Sequence, residues 1–408
     1  MSERAGGWLP DWTTLWMRDS GVLLVSQFAT VAVTSTLAVL IARSLGPADW
    51  GIFSGFLGLS MAFSAFVGLG LATWLLRELS ALWSQDGPDT EEARSEAGRL
   101  LGGAVTLNVC LGAGLVLSAF VATRLMGWGA DRSLALVGLT GYTALLATSS
   151  VLEAVFRSRR ALRSVVIATL LEKGVLLSLV ALSLLAGGGL AGIALSYIVA
   201  GAIRAAFNGL SIVIWGVLRF SVPRPRTEWE LVRRSLPFAL NAASLNMIPR
   251  LDTFLVAVLS TTSAGYFAVG DRVVGPALFI SASATSALYP FLARQQAAGG
   301  GWKVAGLLGL AGAILAIGGA ATAPLLVPAV FGAEYASAVR TVQVMLFVLP
   351  FSFLVGGLMA WLYSNGLEKR VLLVSAERGS PGQGRLWLVM PSRERPAPAS
   401  DTCSGKCY

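Results

Sequence analysis

The feature that most constrains the fold is a series of apolar runs, each about as long as a bilayer is thick. Along 408 residues they predict helices near 21–42, 52–76, 100–126, 134–155, 164–186, 190–218, 235–260, 265–292, 304–331 and 339–363. About 20 helical residues cross a bilayer core of about 30 Å, and most of these runs exceed that. In lipid an open backbone leaves its polar groups unpaired, so the runs must be helical. Composition agrees: 13% of the residues are charged and 55% hydrophobic, with a mean hydropathy of +0.70. A soluble domain carries about 25% charged residues, so this chain has too little polar surface for that class. The first run lacks a small-residue cleavage site and outlasts a signal-peptide core, so it is expected to stay as an anchor.

The net charge of +9 points to orientation and not to nucleic acid, because most cations sit in short gaps between apolar runs. With the N-terminus in the cytosol, the inner segments hold 18 Lys and Arg before residue 376, and the outer ones only Arg43, Arg124, Arg132 and Arg340. That asymmetry predicts ten spans in the cell membrane, with both termini cytosolic. Trp8, Trp12 and Trp16 recur on one helical face just before the first span, as in an interfacial helix. With no histidine in the chain, imidazole catalysis and histidine-ligated metals are excluded. Three cysteines cannot build a disulfide framework. Gly187-Gly188-Gly189 reads as a tight turn and not a phosphate loop, and no cofactor or metal site is expected.

The chain also resembles itself. Ser44 to Phe53 has an echo in Ser260 to Phe267, and Gly51 pairs with Gly265 at an offset of 214. Each glycine opens a long apolar helix that ends at a basic residue, Arg77 or Arg294. The expected fold is therefore all-α, multi-pass, with two pseudo-symmetric helical bundles around a central cavity. The segments are a cytosolic or interfacial stretch 1–20, a six-helix bundle 21–218, a cytosolic linker 219–234 and a second bundle 235–376. That second bundle is incomplete, with four helices and a stub. Residues 377–408, rich in Pro, Gly and basic residues, read as a disordered tail of the composition that a reading-frame slip yields.

Charges inside spans are costly and are functional candidates by default. Four cations qualify: Lys173, Arg204, Arg250 and Arg272. Glu172, Asp252 and Asp271 lie near them, either as internal partners or as ion-coupling groups. Adjacent helical residues point about 100° apart, so Glu172–Lys173 is not a self-evident pair. Gln27, Thr30 and Thr34 share one face of the first helix and either line a polar cavity or serve helix packing. Glu153 and Arg157, four residues apart, read as a structural surface pair.

The segment 42–79 carries Arg43-x-Leu45-Gly46-Pro47, Gly51-Ile52-Phe53, Leu69-Gly70 and Arg77-Glu78. Further on come Arg250-Leu251-Asp252-Thr253, Ala264-Gly265-Tyr266-Phe267 and Ala287-Leu288-Tyr289-Pro290. In order and spacing these resemble polysaccharide-biosynthesis (Wzx-type) flippases of the multidrug/oligosaccharidyl-lipid/polysaccharide exporter superfamily, over about residues 15–375. The resemblance implies no enzyme but a flippase that moves a polyprenyl-pyrophosphate-linked oligosaccharide by alternating access. On that reading Arg250, Arg204, Arg272 and Lys173 meet the pyrophosphate, with Gln27, Thr30 and Thr34 around them. The partners would be the lipid-linked glycan, membrane lipids, and the polymerase or glycosyltransferases of the same pathway. The alternatives are a drug/cation antiporter of the same superfamily, kept open by Glu172, and a truncated remnant that does not transport.

Overall fold

The computed structural model describes residues 12–85, 90–214, 248–295 and 301–364, with a few isolated positions between 232 and 239. Among them the chain is helical throughout, with no strand. The helices are α1 (Trp12–Gly68), α2 (Leu71–Gln85), α3 (Glu91–Leu125), α4 (Ala130–Ser158), α5 (Leu162–Leu185) and α6 (Gly189–Ile214). There follow α7 (Ile248–Leu259), α8 (Thr261–Gln295), α9 (Gly301–Phe331), a short 3-10 turn (Ala333–Tyr335), α10 (Ala338–Leu346) and α11 (Val348–Ser364). Eight stretches of the described residues are long and apolar enough to cross a membrane. The first of these, Ser26–Ser84, holds two of the expected runs, separated at Gly46, whose φ of 73° interrupts the helix just before Pro47. Part of the expected span 235–260, nearly all of the linker 219–234, Trp8 and the tail 377–408 lie outside the described residues.

Three boundaries differ from expectation. The run 52–76 is not one helix, because Leu69 (φ 42°) and Gly70 (φ 62°) end α1 and α2 starts afresh. Asn108 of α3 donates to the Val67 carbonyl beside that break, at 3.0 Å, and Thr148 of α4 donates to Asn108. The break lets Leu71, Trp74, Leu75 and Leu79 of α2 turn into a core shared with Leu101 of α3 and Val155 of α4. Helix α3 starts at Glu91, about three turns before the apolar run, because Glu91 and Glu92 suit a helix N-terminus. The last run divides between α10 and α11, where Pro350 sits in the first turn of α11 and needs no helical donor there. The triple glycine is the expected turn, with Gly187 and Gly189 at positive φ.

The chain forms two compact units, residues 1–275 with 319–346, and residues 276–318 with 347–408. In the second, α9 and α11 approach through glycines: Gly312 faces the Leu349 carbonyl, and Gly357 faces the Ala305 backbone. In the first, the repeat shows as a reciprocal crossing. A Cβ on Gly51 would fall on the Thr261 carbonyl, and a Cβ on Gly265 would fall on the Pro47 carbonyl. Pro47 and Thr261 stand at the same offset of 214 as the two glycines, so the crossing is related to itself by the repeat.

Two helix ends in this unit cap each other. Arg43 donates from Nε to the Val330 carbonyl at 2.6 Å, and from Nη2 to the Ala329 carbonyl, at the end of α9. Tyr335 returns the favour to α1, its hydroxyl donating to the Ala42 carbonyl at 2.9 Å. Burial, with the Glu334 carboxylate adding, holds the Tyr335 phenol above its usual range, so it stays a neutral donor. Within α9, Pro324 removes the donor that the Ala320 carbonyl would use, and Gln343 Nε2 of α10 supplies one at 2.9 Å.

Candidate functional site

Three consecutive helices each carry a charge at membrane depth, and the fold brings them together. Arg204 of α6 donates from Nε and Nη2 to Glu153 Oε1 of α4, at 3.0 and 2.7 Å. From Nη1 it donates to Glu172 Oε2 of α5 at 2.6 Å. Both carboxylates are fully buried. Asn208, one turn beyond Arg204, donates to Glu153 Oε1 at 3.3 Å, and Arg157 donates to Glu153 Oε2 at 3.1 Å. Glu172 Oε1 accepts from the Tyr142 hydroxyl at 2.8 Å and from Lys173 Nζ at 3.0 Å. Lys173 also donates to the Tyr142 oxygen at 3.3 Å.

Two expectations are corrected here. Glu153–Arg157 is not a surface pair, because Glu153 is the buried hub between α4 and α6 and Arg157 reaches it from the half-exposed rim. Glu172 and Lys173 do pair, although adjacent, because the long lysine stem curls back across the 100° between them.

Beside this network lies a cavity of about 360 Å³, walled by α1, α4, α5, α6, α7 and α8. Lys173, Arg250, Arg272 and Asp271 supply its charge, and Thr34, Ser54 and Thr253 its hydroxyls. Trp50, Tyr142 and Tyr197 add aromatic faces, with Tyr142 and Tyr197 edge to face at 4.9 Å. Tyr142 and Lys173 therefore belong both to the network and to the cavity wall. Arg250 Nη1 lies 3.0 Å from Met61 Sδ. Among the described residues neither Arg250 nor Arg272 has a carboxylate within ion-pair distance, whereas Lys173 and Arg204 do.

The structure thus brings Lys173, Arg250, Arg272, Asp271 and Thr34 to one wall and leaves other candidates elsewhere. Arg204 and Glu172 stand behind it in the network. Gln27 is exposed, and the Thr30 hydroxyl returns to its own helix at the Ser26 carbonyl. Asp252 is exposed and away from the cavity wall. Sequence reasoning missed Tyr142 and the part played by Glu153. A signal was available: the two lie 11 residues apart, three turns on one face of α4. No group of three metal-ligating side chains occurs among the described residues.

Comparison with known proteins places this geometry. No curated protein matches the chain. Solved structures share the fold at low identity. An inward-facing multidrug resistance MATE family transporter of the MOP superfamily is 18% identical, with a TM-score of 0.55 over 84% of this chain and 83% of that one. The Vibrio cholerae MATE transporter VcmN in its bent form is 17% identical, with a TM-score of 0.53 over 92% of this chain and 90% of that one. The chain thus shares the fold of these two proteins. The sequence profile described as "Polysaccharide biosynthesis protein" matches residues 16–296, well over half of the chain. The chain belongs to the polysaccharide biosynthesis protein family.

Proposed function

We propose that this chain exports a polyprenyl-pyrophosphate-linked oligosaccharide across the cell membrane by alternating access, for the synthesis of surface polysaccharide. The observation that carries the reading is the charge of the cavity: Lys173, Arg250 and Arg272 against Asp271 alone. Lys173 is balanced by Glu172, so two guanidinium groups are left for a ligand. A cation at membrane depth is costly unless water or an anion meets it, and guanidinium matches phosphate oxygens in a bidentate grip. The same excess opposes a cationic drug. Arg204, held between two carboxylates, is assigned to the scaffold and not to the substrate.

In this reading residues 21–218 and 235–376 form the two sides of the transporter. The pathway's glycosyltransferases supply the substrate, and its polymerase consumes it. Arg250→Ala and Arg272→Ala are each expected to lower export of the lipid-linked glycan about tenfold, the loss of roughly one charge-assisted hydrogen bond. Protein level and melting temperature should stay unchanged, and Arg250→Lys should keep part of the activity. Full export by the double alanine variant would refute the reading.

The membrane orientation follows from the distribution of basic residues, with the 156–163 loop in the cytosol. A reporter fused after Arg160 is expected on the cytosolic side, and one near Ala130 on the other. The opposite result at Arg160 would reverse the orientation.

A further inference from the structure

We propose that the protein holds its lipid substrate in two adjoining compartments, the diphosphate in the charged cavity and the first isoprene units in an apolar cleft beside it. This rests on the reading of the cavity given above and adds a site to it. The cleft has a volume of about 270 Å³ and lies among α1, α8, α9 and α10. Arg272 belongs to its wall and to the wall of the charged cavity, so one arginine side chain is shared by the two.

Away from Arg272 the cleft is hydrocarbon, apart from the hydroxyls of Ser35 and Thr322. The Thr322 hydroxyl is spent on the Gly319 carbonyl of its own helix at 3.2 Å. Ala323, Val327 and Phe331 are buried, while Ser35, Leu326 and Val330 are exposed, so the cleft opens at the surface of the bundle. Small side chains keep it open: Gly319 is already against Leu346, with 3.1 Å left for a Cβ.

Protein interiors leave few voids larger than a water molecule, and an apolar one gains nothing from water. An inorganic anion would fill the cavity and leave the cleft empty, and a plain hydrocarbon would leave Arg272 without a partner. A single-chain amphiphile with an anionic head satisfies both compartments at once. A cleft of this volume takes a few carbons of one chain and not the paired chains of a phospholipid.

The test uses the full chain in lipid nanodiscs and compares competition by inorganic pyrophosphate, isopentenyl diphosphate and farnesyl diphosphate. Affinity is expected to rise with each unit, with farnesyl diphosphate at least about tenfold tighter than pyrophosphate, since each buried methylene contributes. Ser35→Trp, at an exposed position on the cleft wall, should remove that gain and leave pyrophosphate affinity unchanged. Partition of the ligand into the bilayer is the same in both proteins and cannot produce the difference. If Ser35→Trp also loses pyrophosphate, it has misfolded, and Leu326→Trp, at another exposed position on the cleft wall, takes its place in the comparison. Equal affinity for all three diphosphates in the unmodified protein overturns the tail cleft and leaves the cavity reading standing. Displacement of farnesyl diphosphate by an equal concentration of phosphatidylglycerol also overturns it. Binding of none of the three overturns both.

Discussion

Arg204→Ala is expected to destabilise the fold by about 3–5 kcal/mol, the cost of leaving buried charge uncompensated after one partner is removed. The reason lies in the arrangement of charges. Arg204 is shared by two fully buried carboxylates on α4 and α5. Lys173 still faces Glu172, but Glu153 keeps only the rim arginine, Arg157, and the Asn208 amide. Thermal unfolding in detergent, read by size exclusion, should show a large loss of folded protein. Replacing Glu153 at the same time, as in Glu153→Gln with Arg204→Met, should recover much of it, because Glu172 then keeps Lys173 as its partner and no second buried carboxylate needs a counter-charge. If Arg204→Ala melts like the unmodified protein and loses only export, Arg204 is a substrate residue and not a scaffold hub.

The second large effect is expected at the reciprocal glycine crossing. Gly51→Val and Gly265→Val should each cost about 3 kcal/mol or more, at or beyond the usual range for overpacking. What each new side chain meets is a backbone carbonyl, of Thr261 or Pro47, and not a side chain that can rotate away. Because the repeat relates the two contacts, the two substitutions should have similar effects. Gly174→Ala in α5 is the control, since nothing lies within 4 Å of its Cβ position. It should be neutral or stabilising by up to about 1 kcal/mol, the helix preference of Ala over Gly. A milder loss at Gly265 than at Gly174 would remove the crossing from the account of stability.

These two sites differ in how far the sequence discloses them. The spans were legible because a bilayer demands a minimum apolar length, and the paired glycines because one offset of 214 brings the whole motif back. Gly187–Gly189 was legible as a turn, and the interruption at Gly46 falls in the gap between the runs 21–42 and 52–76. The Glu153–Arg204 pair was not, since 51 residues and two helix reversals separate its members. Local spacing instead offered Arg157 as the partner of Glu153, a real contact but the outer one. The break at Leu69-Gly70 was hidden because the apolar run continues through it; the packing of α2 on α3 and α4 decides that geometry. Of the intramembrane cations, sequence named all four but could not divide them. Carboxylates contributed by neighbouring helices claim Arg204 and Lys173, while Arg250 and Arg272 are left at the cavity.

The mutual capping of α1 and α9 has a consequence for movement. Arg43 covers carbonyls at the end of one helix, and Tyr335 covers a carbonyl at the end of the other. Parting the helices at this end would release all of these bonds together, and the buried Ala42 carbonyl and Tyr335 hydroxyl find no replacement until the gap is wide enough to admit water. Intermediate separations therefore carry the full cost with none of the return, so this end of the bundle is expected to act as a two-position switch and not as a graded hinge. Each 1.4 kcal/mol removed from such a switch moves its equilibrium tenfold. A residue that never meets the substrate can thus set the fraction of time the protein spends open.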